Sequence, residues 1–290
     1  MRISDFGLRI KQLSMLSLSI IVCLIVVFSA EAGQPQIVLQ PKKFGPGDII
    51  TITVKNAAGP VEGTFMNKAL HFNPVKKAFR AVVGVDLNTE PGTYPLTMTS
   101  NGIKSVKDLL VSKKHYPVQR LTLPEDMVVL SPENEARVTR DQKKTAVIWP
   151  IDSLRVWRGN FIDPLPGKKI GTPFGVRRII NNIPKNSHSG VDVTADEGEP
   201  VLAPNDGVVV LVDDQFYSGN SVILDHGQGI YSMFFHLSKI NVKYGQAVMK
   251  GDVIALVGST GRATGAHLHW GVRIQGAKVD PLELIHLKLE

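Results

Sequence analysis

Residues 49–54 read Ile-Ile-Thr-Ile-Thr-Val, all six β-branched, the side-chain type that packs best on a pleated strand. Directly before them stands Gly45-Pro46-Gly47-Asp48, a turn sequence. Residues 79–87 and 93–99 alternate, or are apolar enough, to form further strands, and Glu90-Pro91-Gly92 punctuates the gap between them. Short strands separated in this way predict a small β-sandwich over residues 33–113.

The pattern changes over residues 114–165. Pro124, Pro132 and Pro150 break the segment, and between Ser131 and Lys144 the composition favours a helix. Ser131 is placed to cap it, with Pro132 at its first position and Glu133 and Glu135 in its first turn. This stretch reads as a connector with one helix. From residue 166 to 290 the chain turns to strands again, with candidates at 208–212, 221–224, 231–236 and 267–274 and clusters of Gly, Asn and Asp between them. Strands do not alternate with helices, so the expected class is mainly β with antiparallel sheet. In residues 231–236, strict alternation places Ser232, Phe234 and His236 on one face.

The first residues read differently. Arg2, Arg9 and Lys11 precede an apolar run over 13–28, followed by Ala30-Glu31-Ala32. This is the layout of a secretory signal peptide over residues 1–32, cleaved after Ala32. The run of 16 residues is shorter than the roughly 20 that a membrane-spanning helix needs. Membrane contact is expected only through this segment, if it stays uncleaved, and the mature protein is expected to be exported to the periplasm or cell wall.

Composition adds three points. Cys23, the one cysteine, lies in the apolar run, so the mature chain has no disulfide and no thiolate ligand to offer. The net charge is +7, while residues 150–290 carry 14 charges of each sign, so the excess lies earlier in the chain. A basic excess of this size suits either a polyanionic surface or simple solubility. No Lys/Arg run is interleaved with aromatics, which argues against a nucleic-acid partner.

The candidate chemistry is concentrated late. Six of the eight histidines follow residue 187. In His267-Leu268-His269 the two imidazoles lie two apart, so on a strand they share a face. In His188-Ser189-Gly190-Val191-Asp192 a histidine and a carboxylate lie four apart on a segment that Gly190, Val191 and Val193 turn away from helix. Taken singly, each motif is as well read as solvated or hydrogen-bonded side chains. Together they supply the histidines and carboxylate of a catalytic zinc site, which takes three protein ligands and keeps one position open. His236, at the end of its strand, is placed for proton transfer beside them. Asp225 and His226 sit at a strand end and turn and read as structural.

The stretches Phe174-Gly175-Val176-Arg177, His188 to Asp192, Val201-Leu202-Ala203, Asp206-Gly207-Val208-Val209, Gly219-Asn220-Ser221-Val222, His236-Leu237, Gly258-Ser259-Thr260-Gly261 and Gly265 to Trp270 resemble, in order and spacing, the lysostaphin-type, LytM-like zinc endopeptidases of bacterial cell wall. The resemblance covers residues 171 to 281, and the preceding β region looks like the N-terminal domain of Gram-negative members. It implies a compact antiparallel β fold with a groove, Zn2+ held by His188, Asp192 and His269, and His236 and His267 as catalytic histidines. It implies peptidoglycan as substrate. The branch that cuts glycine bridges has a tyrosine shortly before its first metal histidine, and residues 179–187 contain none, which favours direct peptide crosslinks. Relatives that activate other wall hydrolases without catalysis are the alternative; they usually lack metal ligands, and this chain keeps all three.

Overall fold

The computed structural model describes residues 34–57, 59–122 and 129–289; the expected signal peptide lies outside them. Two four-stranded sheets face each other over the first part. One runs in the order Gln36–Gln40, Ile49–Lys55, Ala78–Gly84, Asn73–Val75; the other Lys68–Ala69, Val61–Phe65, Gly92–Ser100, Ile103–Val111. Side chains alternate across a strand, so Ile50, Ile52 and Val54 point inward and meet Phe65, Leu96, Met98, Leu109 and Val111, all buried. The Gly45–Asp48 turn enters the first sheet with Gly47 at φ +85°, and the Asp48 carboxylate accepts a hydrogen bond from the Gly45 amide at 2.7 Å.

Helix α1, Pro132–Ala146, begins where the sequence places it. The Ser131 hydroxyl accepts from the Asn134 amide at 3.3 Å, and Pro132 stands at the first position. The helix buries none of its residues and is held to the strand Gly207–Gln215 by Arg137–Asp214 and Lys144–Asp213 pairs. One element was not legible in the sequence. Val118–Leu121 is a strand, and it pairs in parallel with Arg177–Ile180. Its side chains are largely exposed, so no apolar alternation marks it.

The later part is built on an antiparallel sheet in the order Lys169–Thr172, Gly190–Thr194, His267–Ile274, Ile230–Phe235, Gly219–Gly227, Gly207–Gln215, Ala247–Val248, with Ala277–Val279 paired to His267–Ile274. The architecture is thus mainly β and antiparallel, as expected. One face of this sheet carries Val191, Val193, Leu268, Trp270, Phe234, Val222 and Leu224, all buried in one core. That core also takes in Trp157, Phe161 and Leu165, and Ile49 and Leu87 from the first part. Ile49 thus faces the second core while its neighbour Ile50 faces the first, which is the two-residue strand period at work.

Candidate metal centre

The opposite face of the sheet carries the chemistry. Asp192 pairs across strands with His269, and His269 pairs with Phe235. Residues in register on neighbouring strands share a face, so the three form a row. His267 lies two residues before His269 and faces the same way. His188 reaches the row from the segment just before Gly190–Thr194, where its backbone is fixed by His188 N–H to Val176 O at 2.9 Å and Gly175 N–H to His188 O at 2.8 Å.

Three ligand-type atoms converge there. His188 Nε2 lies 2.9 Å from Asp192 Oδ1 and 3.0 Å from His269 Nδ1, and His269 Nδ1 lies 2.9 Å from the same Oδ1. Gly190 makes this possible, because a Cβ there would stand 2.7 Å from His269 Nε2 and 2.5 Å from the Trp270 carbonyl oxygen. His188 Nδ1 donates to Pro173 O at 2.9 Å, which leaves a lone pair on Nε2. Two imidazole nitrogens and a carboxylate oxygen therefore meet in one triangle, the kind of donor set that holds a zinc ion. Bonds of 2.0–2.2 Å to a tetrahedral zinc separate ligand atoms by about 3.4 Å, so an opening of a few tenths of an ångström fits the ion. Burial would raise the Asp192 carboxyl; its contacts with His188 and His269 outweigh that and hold it well below the usual carboxylate range.

His236 and His267 stand beside the triangle. Their ring centroids are 4.7 Å apart, and His267 Nε2 is 3.8 Å from Asp192 Oδ1. Each commits Nδ1–H to a backbone carbonyl, His236 to Thr260 and His267 to Gly265, both at 2.9 Å. Each is left with Nε2 as its basic atom. Burial pushes His236 down to about 4, with His267 and His269 adding to it.

The route of His236 to this place corrects the strand reading. Ser232 and Phe234 do share a face, but it is the apolar one: Phe234 is in the core and Ser232 bonds buried His226. The strand stops at Phe235, and His236 takes φ +64°, which turns its ring to the other side. A left-handed non-glycine residue costs about 1–2 kcal/mol. Bonds from His236 N–H to Ser218 O at 2.8 Å and from its ring to Thr260 hold it.

Two contacts went unread in the sequence. Phe235 stacks on His269 with centroids 5.3 Å apart and planes 7° apart; its alternation with Phe234 was the available signal. Arg178 brings Nη2 to 3.7 Å from Asp192 Oδ2, and its Nε is buried without a hydrogen-bond partner among the described residues. No local pattern marks it. His226 lies apart, fully buried, with Nδ1 at 2.8 Å from Asp206 O and Nε2 at 2.9 Å from Ser232 Oγ. Asp225 accepts from Ser153 and from the Gly227 amide.

Comparison with known proteins gives a consistent result. Residues 186–281 match peptidase family M23. The chain is 39% identical over 128 residues to the DD-carboxypeptidase/endopeptidase Mpg of Neisseria meningitidis serogroup B, covering 44% of this chain and 30% of that protein. It is 43% identical over 137 residues to the peptidoglycan DD-endopeptidase ShyA of Vibrio cholerae, covering 47% of this chain and 29% of that one. The chain thus spans about a third of the length of these curated relatives. A crystal structure from Pseudomonas aeruginosa assigned to peptidase M23 superposes with a TM-score of 0.69 at 32% identity, covering 84% of this chain and 95% of the other. With a match of that extent over the fold, and with the family's region enclosing the His188–Asp192–His269 triangle, the chain belongs to peptidase family M23.

Proposed function

We propose that this protein is a zinc-dependent endopeptidase that hydrolyses direct peptide crosslinks of peptidoglycan, with the metal held by His188 Nε2, Asp192 Oδ1 and His269 Nδ1. The observation that carries the reading is the convergence of these three atoms within 3.0 Å of one another. A bound zinc ion supplies a Lewis acid for a carbonyl oxygen and lowers the pKa of water to about 7. The chain's own part is proton handling and position. Nε2 of His236 or of His267 takes the proton of the attacking water, and the imidazolium so formed donates to the developing oxyanion before it passes that proton to the leaving amine. Pro173, Thr260 and Gly265 keep three of the rings in the tautomers this requires. Phe235 blocks rotation of the His269 ring by stacking on it.

The names of the Neisseria and Vibrio relatives support a DD-peptide bond of peptidoglycan as the target. Under the same reading, residues 1–32 export the protein to the periplasm, 33–113 form an N-terminal sandwich domain, 114–165 a connector, and 166–290 the peptidase domain. The complete ligand set favours catalysis over a purely regulatory role. The test is His269→Ala, assayed for metal content by mass spectrometry and for new amino groups released from purified peptidoglycan. Loss of stoichiometric zinc together with loss of release is expected. Undiminished release by that variant would overturn the assignment.

A further inference from the structure

The two oxygens of the Asp192 carboxylate face different things. Oδ1 meets His188 Nε2 and His269 Nδ1, both at 2.9 Å, and His267 Nε2 at 3.8 Å. Among the described residues Oδ2 meets a cation instead, Arg178 Nη2 at 3.7 Å.

Arg178 stands outside the stretch that matches the family, residues 186–281. Its strand, Arg177–Ile180, is tied down on two sides. On one side Arg178 pairs in register with Gln119 of the parallel strand Val118–Leu121. Arg177 N–H donates to Pro117 O at 2.9 Å and Asn181 N–H to Leu121 O at 3.0 Å. On the other side Arg178 O accepts from the Lys185 amide at 2.8 Å, and Val176 O, two residues earlier, accepts from the His188 amide at 2.9 Å. One stretch of backbone thus fixes both His188 and the arginine that faces Asp192.

The pose of Arg178 is not one that solubility or folding explains. Its side chain is 34% exposed and that of Asp192 15%. Its Nε is buried without a hydrogen-bond partner among the described residues. Burying an N–H in this way costs stability, and an arginine that extends into water avoids the cost. At 3.7 Å the contact with Oδ2 is an ion pair and not a hydrogen bond, and partly exposed pairs of that kind add little to stability.

We infer that Arg178 is a positioning residue for the metal carboxylate: its guanidinium draws Oδ2 aside, so that Asp192 presents Oδ1 alone to the ion. The inference rests on the metal-site reading under the proposed function. A carboxylate can bind a metal through one oxygen or through both, and a catalytic zinc site keeps its fourth position for water. With Oδ2 held by a cation, the second oxygen stays out of that position. Groups that contact a ligand and not the ion orient the ligand, and removing one typically costs roughly ten- to a hundredfold in metal affinity. Charge alone predicts the opposite sign, because a cation beside the site repels a dication and its removal would tighten binding.

The test uses the mature chain with Arg178→Gln and Arg178→Lys, and zinc alone as the probe, titrated in competition with a chromophoric chelator. Arg178→Gln is expected to bind zinc about tenfold more weakly. Arg178→Lys, which keeps the cation, should recover most of that loss. The metal-free unfolding midpoint should be the same in all three proteins. In an Asp192→Ala background, Arg178→Gln should change zinc affinity no further, because the residue acts through that carboxylate. With cobalt in place of zinc, the visible absorption should change in Arg178→Gln and stay in Arg178→Lys. Zinc binding by Arg178→Gln that is equal or tighter, an equal loss in the Asp192→Ala background, or a lowered metal-free midpoint would overturn the positioning role. Failure of the peptidase reading looks different: the unaltered chain would bind zinc with the same dependence on Arg178, yet release no product from peptidoglycan.

Discussion

The two faces of the large sheet are made by alternate residues of the same strands, yet they do opposite things. Val191, Val193, Leu268 and Trp270 enter a dry core, while Asp192, His267 and His269, interleaved with them, gather polar atoms of the ligand type in one place. The contrast is sharpest between histidines. His226, on the apolar side, spends both nitrogens on internal partners and meets the edge of Phe161 at 5.2 Å. His188, His236 and His267, on the other side, each spend one nitrogen on a carbonyl, and the second nitrogen of His188 meets Asp192 and His269. The residue type does not separate structure from chemistry here; what the second ring nitrogen faces does.

The strongest way to break this division is to substitute neighbours on one strand. Trp270→Ala should cost about 3–5 kcal/mol of stability, because it empties a wholly buried site. His269→Ala, one residue away, should move the metal-free unfolding midpoint by no more than about 1 kcal/mol while zinc affinity collapses. Urea unfolding with and without a chelator checks both; a large metal-free loss in His269→Ala would erase the distinction.

Next in size is the pH response of the apolar-side histidine. Burial pushes His226 down to about 4, while in the unfolded chain it keeps its ordinary value near 6.5. Between these values the unfolded state binds the extra proton, so stability is fully present above about pH 6.5 and falls as pH drops toward 4. The loss is about 3 kcal/mol. Unfolding midpoints across this window should show a slope that His226→Gln flattens. An identical slope in the variant would place the titration elsewhere.

Gly190 sits where the two faces meet. Gly190→Ala forces a Cβ against the Trp270 carbonyl and the His269 ring, so about 2 kcal/mol of stability should be lost along with zinc affinity. Zinc affinity unchanged by this substitution would mean that the ring can shift without consequence. The smallest effect belongs to α1, which buries no residue and is held to the strand Gly207–Gln215 through ion pairs. Ser131→Ala removes its cap and should cost about 1 kcal/mol or less, with activity on peptidoglycan unchanged.

What was legible in the sequence was local. The β-branched run at 49–54, the Ser131-Pro132 helix start and the two-residue spacing of His267 and His269 depend on atoms a few residues apart, and the described structure has them as read. His236 stands beside His267, but on a face other than the one that strict alternation assigns it. The φ +64° that turns it is held by Ser218 and by Thr260, 24 residues away.

The same holds for contacts that no local pattern decides. His188 and His269 are 81 residues apart in the chain. That their nitrogens share one carboxylate oxygen depends on strand register and on a glycine that lets the rings close up. Arg178 reaches Asp192 from a strand whose parallel partner, Val118–Leu121, shows no periodicity of its own. Periodicity and turn chemistry act within a few residues and so decide which side of a strand a side chain takes. Which carbonyl fixes a ring's tautomer, and which cation approaches a carboxylate, is decided by segments that only packing brings together.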